Sequence, residues 1–216
     1  TGTAANPCLQ TAQLAGLRSE RPELVERAAA AIHCKDWLYL RCTGRIATDP
    51  TEGVLTFGNY RTRDYDDAVV EVLGLSDLAH LRPEMIDGTT HHDPLAPEAA
   101  AATGLRAGTP VALGPIDATS NALGSGLYHR TGKIGVSVLG SAGLHFRLYR
   151  DAGDVVLPGE QVGYTMPFPV PGTWCSFVSQ MAATLNLDWL AGIVAEAAGL
   201  AGARRVPDEI LAMLSS

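Results

Sequence analysis

Residues 108–126 read GTPVALGPIDATSNALGSG, and the fold turns on how this stretch is parsed. Thr109 to Gly114 is a short continuous apolar run between turn formers, which predicts a strand buried on both faces. From Ala118 onward the small residues predict a helix that can pack closely on a sheet. Asp117 falls at the junction. A carboxylate there stands at the edge of an α/β sheet, where ligand sites form, and beside helix N-terminal amides that favour its charge. It can accept a proton from a substrate hydroxyl. On spacing alone the position better suits capping the helix, a duty with no chemistry in it.

Upstream, apolar residues recur at helical spacing from Leu9 to Leu17 and from Pro22 to Leu40, the second helix running on to a glycine stop at Gly44. Asp49-Pro50 opens a loop and an irregular segment, followed by a short helix from Asp66 to Leu73. LAPEAAAATGL predicts another helix, with Pro97 near its start and Gly104 at its end. Downstream, residues 133–140 and 144–150 read as two strands forming a hairpin around Ser141-Ala142-Gly143. A turn of this kind exposes backbone N–H groups that can cradle a phosphate, although hairpin turns are common without any ligand. Residues 158–174 are rich in Pro and Gly and read as strands and loops, and residues 175–200 read as a long apolar helix, whole or broken. A further helical pattern, DEILAMLSS, closes the chain, which opens on Thr1 and is expected to be a piece of a longer one.

The bulk composition excludes several classes. With 216 residues, 46% hydrophobic and 18% charged, the chain can bury a core and is too apolar for a disordered protein. A net charge of −7, with no Lys/Arg cluster beyond Arg204-Arg205, argues against nucleic-acid binding. No apolar run reaches the roughly 18 residues that a membrane helix needs, and no signal-peptide pattern stands at the N-terminus; a cytoplasmic protein without membrane contact is expected. Cys8, Cys34, Cys42 and Cys175 have neither zinc nor disulfide-framework spacing and are expected to be reduced and mostly buried. His91-His92 beside Asp93 sits in turn composition and lacks the three or four convergent groups of a metal site.

Four segments, HCKDWLYLRCTGRIATDPTEG (33–53), TGLRAGTPVALGPIDATSNALGSG (103–126), KIGVSVLGSAG (133–143) and AATLNLDWLA (182–191), stand in one order across nearly the whole chain. Together they resemble the middle of an FGGY-family carbohydrate kinase. Within the family, TFGNYRTRDYDD and HCKDWLY look most similar to erythritol kinases. The resemblance implies an α/β, ribonuclease-H-like (actin-like ATPase) fold of two domains with substrate and ATP in the cleft between them. Residues 1–128 would be the later, substrate-side part of the first domain and residues 129–216 the start of the nucleotide-side second, with a hinge near 128–133.

Residue by residue, the resemblance makes Asp117 the general base for the sugar hydroxyl, in contact with the substrate. Gly140, Ser141 and Gly143 match the phosphate-contacting G-T-S-G turn, with Ser141 for the usual Thr and Ala142 for Ser, so one hydroxyl is kept and one lost. Asn6 falls near a place where the family sends a substrate-contacting side chain; a surface-loop asparagine reads equally well. ATP and Mg²⁺ are the implied cofactors, and a small polyol or sugar the implied substrate: erythritol first, a ketopentose such as xylulose or ribulose second. A non-catalytic sugar-binding or assembly module is the alternative from another class, and a homo-oligomer stays open. Asp36 and Trp37 read as helix core, Asp49 as a turn or cap, and Trp189 as core. The family's D-x-G-T phosphate loop and late adenosine stretch are not among these residues, so the 216 residues alone are expected to be inactive.

Overall fold

The computed structural model describes residues 2–4, 6–129, 135–157 and 162–197. The helical pattern at 208–216, Arg204-Arg205 and the middle of the expected seam, 130–134, lie outside them.

The N-terminal part is helical. α1 (Gln10–Glu20) leads to α2 (Pro22–Arg27), whose proline stands in the first turn, and then to α3 (Cys34–Thr43). The single helix expected from Pro22 to Leu40 is therefore two. One cause is tertiary, Ala31 giving its N–H to the carbonyl of Leu81 at 2.8 Å, and one is local, the Asp36 carboxylate capping α3 by taking the N–H of His33 at 3.2 Å. These bonds outweigh the helix propensity of four alanines. α3 ends at Gly44, in the left-handed conformation that glycine adopts without strain (φ +81°).

Beyond Gly44 come β1 (Ala47–Thr48) and α4 (Pro50–Phe57), where Asp49 caps the helix by accepting from the N–H of Thr51. β2 (Gly58–Asn59) and β3 (Asp64–Tyr65) form a small hairpin, and α5 (Asp67–Val72) follows. A 3₁₀ segment (Ser76–Leu81) and β4 (Glu84–Met85) bring the chain back, parallel to β1. β5 (Asp93–Pro94), α6 (Pro97–Thr103) and β6 (Pro110–Val111) lead to α7 (Asp117–Gly124).

The buried strand expected over 109–114 is much reduced. Only Pro110 and Val111 pair, antiparallel to β5, and Pro110 is exposed. Leu113 and Ile116 are buried from irregular backbone. Their path is fixed by a close approach at Gly88, where a Cβ would lie 1.9 Å from the carbonyl oxygen of Leu113, so only glycine fits.

The rest is a four-stranded antiparallel sheet. β7 (Gly135–Leu139), β8 (Gly143–Tyr149), β9 (Tyr164–Pro167) and β10 (Trp174–Gln180) take the order β7-β8-β10-β9, followed by α8 (Thr184–Ala197). The expected hairpin is present. The long helix expected from Cys175 begins only at Thr184, because residues 174–180 pair with β8 on one side and β9 on the other. Cys175 and Phe177 are buried and Val178 is exposed, the period-two alternation of a strand.

The core corrects the expectations for the tryptophans and the cysteines. Asp36 is buried as expected, but Trp37 is 53% exposed and Trp189 68%. Of the four free cysteines only Cys175 is buried. One apolar cluster joins Val54, Tyr60, Ile116 and Ala122 to Phe146, Met166, Phe168 and Phe177, so it runs across the boundary expected at 128/129. Residues 2–4 cross it too, bridging Thr3 to Tyr164 beside β9.

Candidate active site

The start of α7 is held by a chain of hydrogen bonds from the start of α4. Thr51 donates its N–H and its hydroxyl to Asp49 Oδ2 at 2.8 and 2.7 Å, and its Oγ1 accepts the N–H of Ile116 at 3.0 Å. The hydroxyls of Thr119 and Ser120 return to the Ile116 carbonyl at 3.0 and 3.1 Å. Ile116, not Asp117, is thus the N-cap residue.

Asp117 is the first helical residue and is exposed. Its Oδ1 accepts the N–H of Ala118 at 2.7 Å, and its second oxygen meets no donor among the described residues. The carboxylate is therefore fixed by one local bond and free to accept a proton or a hydroxyl. Just before it, Gly114 and Pro115 line a cleft of about 140 Å³ together with Asp49, Arg63, Asp87 and Phe168.

The Gly140–Gly143 turn closes β7 onto β8, with Leu139 opposite Gly143. It is tied to the head of α8: the carbonyl of Ser141 accepts from Ala183 N–H at 2.8 Å, and that of Gly140 from Thr184 N–H and Oγ1 at 3.1 and 2.8 Å. The N–H of Gly140 is used internally, by Ala142 O at 2.9 Å. The N–H groups of Ser141 and Ala142 have no acceptor among the described residues, and both residues are exposed. That leaves two adjacent donors of the kind that binds an anionic oxygen.

Asn6 does not join either feature. Its Oδ1 accepts the N–H of Cys8 at 2.7 Å, making a local turn, and it lines a mainly apolar groove of about 750 Å³ between α1, α4 and α5. That groove and the cleft before Asp117 share no lining residue.

A buried ionic cluster was legible in the sequence only in part. Lys35 Nζ lies 2.6 Å from Asp36 Oδ1 and 2.7 Å from Asp49 Oδ1, and His33 Nε2 lies 3.3 Å from Glu52 Oε1. Burial pulls the Lys35 ammonium down, but Asp49 and Asp36 more than offset this and raise its pKa. For Asp36 burial acts upward, yet bonds from His33 and the charge of Lys35 leave its pKa lowered. Glu52 is raised, chiefly by burial. The signal was the adjacent Lys35-Asp36 pair inside an otherwise apolar helical pattern.

The His91-Asp93 pair is engaged elsewhere. Arg45 Nη1 stands 2.6 Å from His91 Nε2 and 3.2 Å from Asp93 Oδ2, and Tyr39 OH donates to Asp93. Among the described residues no group of three or more His, Cys, Asp or Glu is arranged to hold a metal ion, and no helix is long and apolar enough to cross a membrane.

Comparison with known proteins adds a family. The model of the FGGY family of carbohydrate kinases, N-terminal domain, matches residues 1–124. The chain is 49% identical over 196 residues to an erythritol kinase of Brucella abortus (strain 2308), covering 91% of this chain and 38% of that protein. It is 27% identical to a xylulose kinase of Escherichia coli (strain K12), covering 98% and 41%. Among solved structures, a xylulose kinase from Rhodospirillum rubrum superposes with a TM-score of 0.74 at 23% identity, over 91% of this chain and 38% of that one. The chain thus spans about two fifths of the length of these relatives. The structural likeness gives the fold: α/β, of the ribonuclease-H-like, actin-like ATPase kind.

Proposed function

The chain belongs to the FGGY family of carbohydrate kinases, and from that premise we propose that the enzyme carrying it transfers a phosphoryl group from ATP to a hydroxyl of a small polyol, erythritol first. The observation that carries this reading is the state of Asp117: an exposed carboxylate at a helix N-terminus with one oxygen unengaged. In phosphoryl transfer the protein mainly positions the reactants and neutralises charge, so one such carboxylate within reach of the hydroxyl suffices for its proton. Asp117 accepts that proton as the hydroxyl oxygen attacks the γ-phosphorus and the bond to the β-phosphate oxygen breaks, leaving ADP and the phosphorylated polyol.

The Gly140, Ser141 and Gly143 turn fits a phosphate through the two N–H groups it leaves unpartnered, with the Ser141 hydroxyl as a further donor. Mg²⁺, when bound, would supply charge neutralisation to the phosphates. Among the described residues no group of three or more His, Cys, Asp or Glu is arranged to hold it, so this chain's residues do not build a metal centre alone. Asn6 is proposed only as a residue of the substrate side, acting from the N-terminal groove. On this reading residues 1–128 belong to the substrate-side unit and 129–216 to the nucleotide-side unit, and the enzyme is cytoplasmic, where ATP is made available to metabolic kinases.

Erythritol takes precedence over a ketopentose because the erythritol kinase relative shares far more residues than the xylulose kinase does; the likeness to xylulose kinase structures keeps xylulose or ribulose as the second reading. A coupled ADP-release assay of the full-length chain across tetritols, pentitols and ketopentoses tests both. The expected result is the highest kcat/KM on erythritol. A preference for a ketopentose moves the assignment to the second reading, and no ADP release on any acceptor favours a non-catalytic sugar-binding module.

A further inference from the structure

Arg63 stands in the turn of the β2–β3 hairpin and is the one non-glycine among the described residues with a left-handed backbone (φ +60°). Residues other than glycine seldom adopt this conformation, and it tends to mark places where a side chain must be aimed. The turn is held by Asn59: its carbonyl accepts the N–H of Arg63 at 2.9 Å, its Oδ1 the N–H of Arg61 at 3.0 Å, and its Nδ2 donates to Asp66 at 3.0 Å. So aimed, the half-buried guanidinium crosses to the other part of the molecule. Nη1 donates to the carbonyl of Thr173 at 2.9 Å, and Nη2 points to that of Phe168 at 3.5 Å. Its plane lies over the Trp174 ring, 5.4 Å from the centroid, and Trp174 Nε1 donates back to the carbonyl of Tyr60 at 2.7 Å.

The target is the loop between β9 and β10. Its own bonds only close it on itself: Phe168 N–H to Thr173 O at 2.9 Å and Thr173 N–H to Val170 O at 3.2 Å. Pro167, Phe168 and Pro169 line the same cleft as Arg63 itself and as Gly114 and Pro115, which stand two and three residues before Asp117 in the chain. Arg63 forms no ion pair with a carboxylate among the described residues; the charge of Asp87, which lines the same cleft, acts on it from beyond ion-pair distance, and the two hydrogen bonds of its guanidinium both go to this loop. We propose that Arg63, with Trp174, is a positioning residue: it latches the β9–β10 loop to the β2–β3 hairpin and thereby sets the width of the cleft through which the acceptor reaches Asp117. The latch stands on geometry; its consequence for the acceptor rests on the kinase reading.

The two parts are separable by experiment in the full-length chain. Arg63→Ala is expected to speed amide exchange across residues 164–174 by about tenfold or more, as local opening becomes easier. The KM for the polyol should rise about tenfold and that for ATP by less than twofold, since the Gly140 turn is anchored independently by α8. Arg63→Lys keeps the charge without the fork that spans two carbonyls and should stay close to the alanine variant. Trp174→Phe keeps a ring under the guanidinium, loses the bond to Tyr60, and should shift exchange in the same direction by less; it also serves if Arg63→Ala fails to fold. Unchanged exchange over 164–174, full rescue by lysine, or an equal rise of both KM values overturns the latch. If the parent chain phosphorylates no polyol, the kinase reading falls, while the exchange measurement still decides whether the loop is latched.

Discussion

Two aspartates open two helices in this molecule, and they have opposite fates. Asp49, at the head of α4, is 3% exposed, takes two bonds from Thr51 and pairs with Lys35. Asp117, at the head of α7, is exposed and takes one bond, from its neighbour's N–H. Thr51 links them, accepting from the residue before Asp117 while donating to Asp49. A carboxylate whose oxygens are engaged and whose charge is matched gives rigidity; one held by a single bond leaves an oxygen open to a ligand. The buried aspartate fixes where the exposed one stands.

The sharpest way to break that contrast is Asp117→Asn in the full-length chain. Turnover should fall about 10²- to 10⁴-fold, the usual contribution of a positioned general base. Polyol binding measured by calorimetry should persist, and the urea midpoint should shift within the roughly 0.5 kcal/mol typical of exposed positions. Unchanged turnover would remove Asp117 from the mechanism. The mirror experiment is Lys35→Met, which leaves Asp36, 0% exposed, and Asp49 without their cation. Breaking a buried pair in this way costs about 3–5 kcal/mol. Urea unfolding should show that loss, and a change below about 1 kcal/mol would mean the cluster is not structural.

The cluster also divides by pH. Asp36 lies below its ordinary pKa of 3.8 in the fold, so its contribution to stability is present above that value and is lost as pH falls through the lower folded one. Glu52 lies above its ordinary 4.5, burial being the chief cause; its favourable contribution is present below 4.5 and is withdrawn as pH rises through the higher folded value. At pH 7 an ionised Glu52 is therefore a cost, amid His33, Lys35, Asp36 and Asp49. Glu52→Gln should raise stability at neutral pH by no more than about 1 kcal/mol, the scale of one exchanged hydrogen bond. The gain should close toward pH 4 in thermal unfolding, and a loss at neutral pH would contradict the assignment.

The same contrast explains what could be read from residues alone. Local signals were dependable: the Asp49 cap, the Gly44 stop, the proline-led α6 and the hairpin at Ser141 each follow from a few neighbouring side chains. The failures came where distant partners decide. Ala31 leaves a helical pattern because Leu81 offers a carbonyl. Residues 175–180 form a strand because β8 and β9 flank them, and an apolar run cannot announce that. Trp37 and Trp189 have core composition but face outward. At the site, the position of Asp117 was legible, but its exposure was not, because the strand supposed to deliver it is two residues long and the Thr51 link comes from 65 residues away.

An effect of similar, small size concerns the turn that pairs with Asp117 in the proposed reaction. Ser141 carries a hydroxyl and Ala142 has none. If the two free N–H groups carry most of the phosphate contact, the Ser141 hydroxyl adds one hydrogen bond, worth about 0.5–1.5 kcal/mol. Ser141→Ala should then raise the KM for ATP by roughly two- to tenfold with little change for the polyol. Its exposure and the backbone anchoring of the turn by Ala183 and Thr184 mean that stability should not move. An effect on the polyol instead of ATP would place this turn on the acceptor side of the cleft, and with it reverse which part of the chain faces the nucleotide.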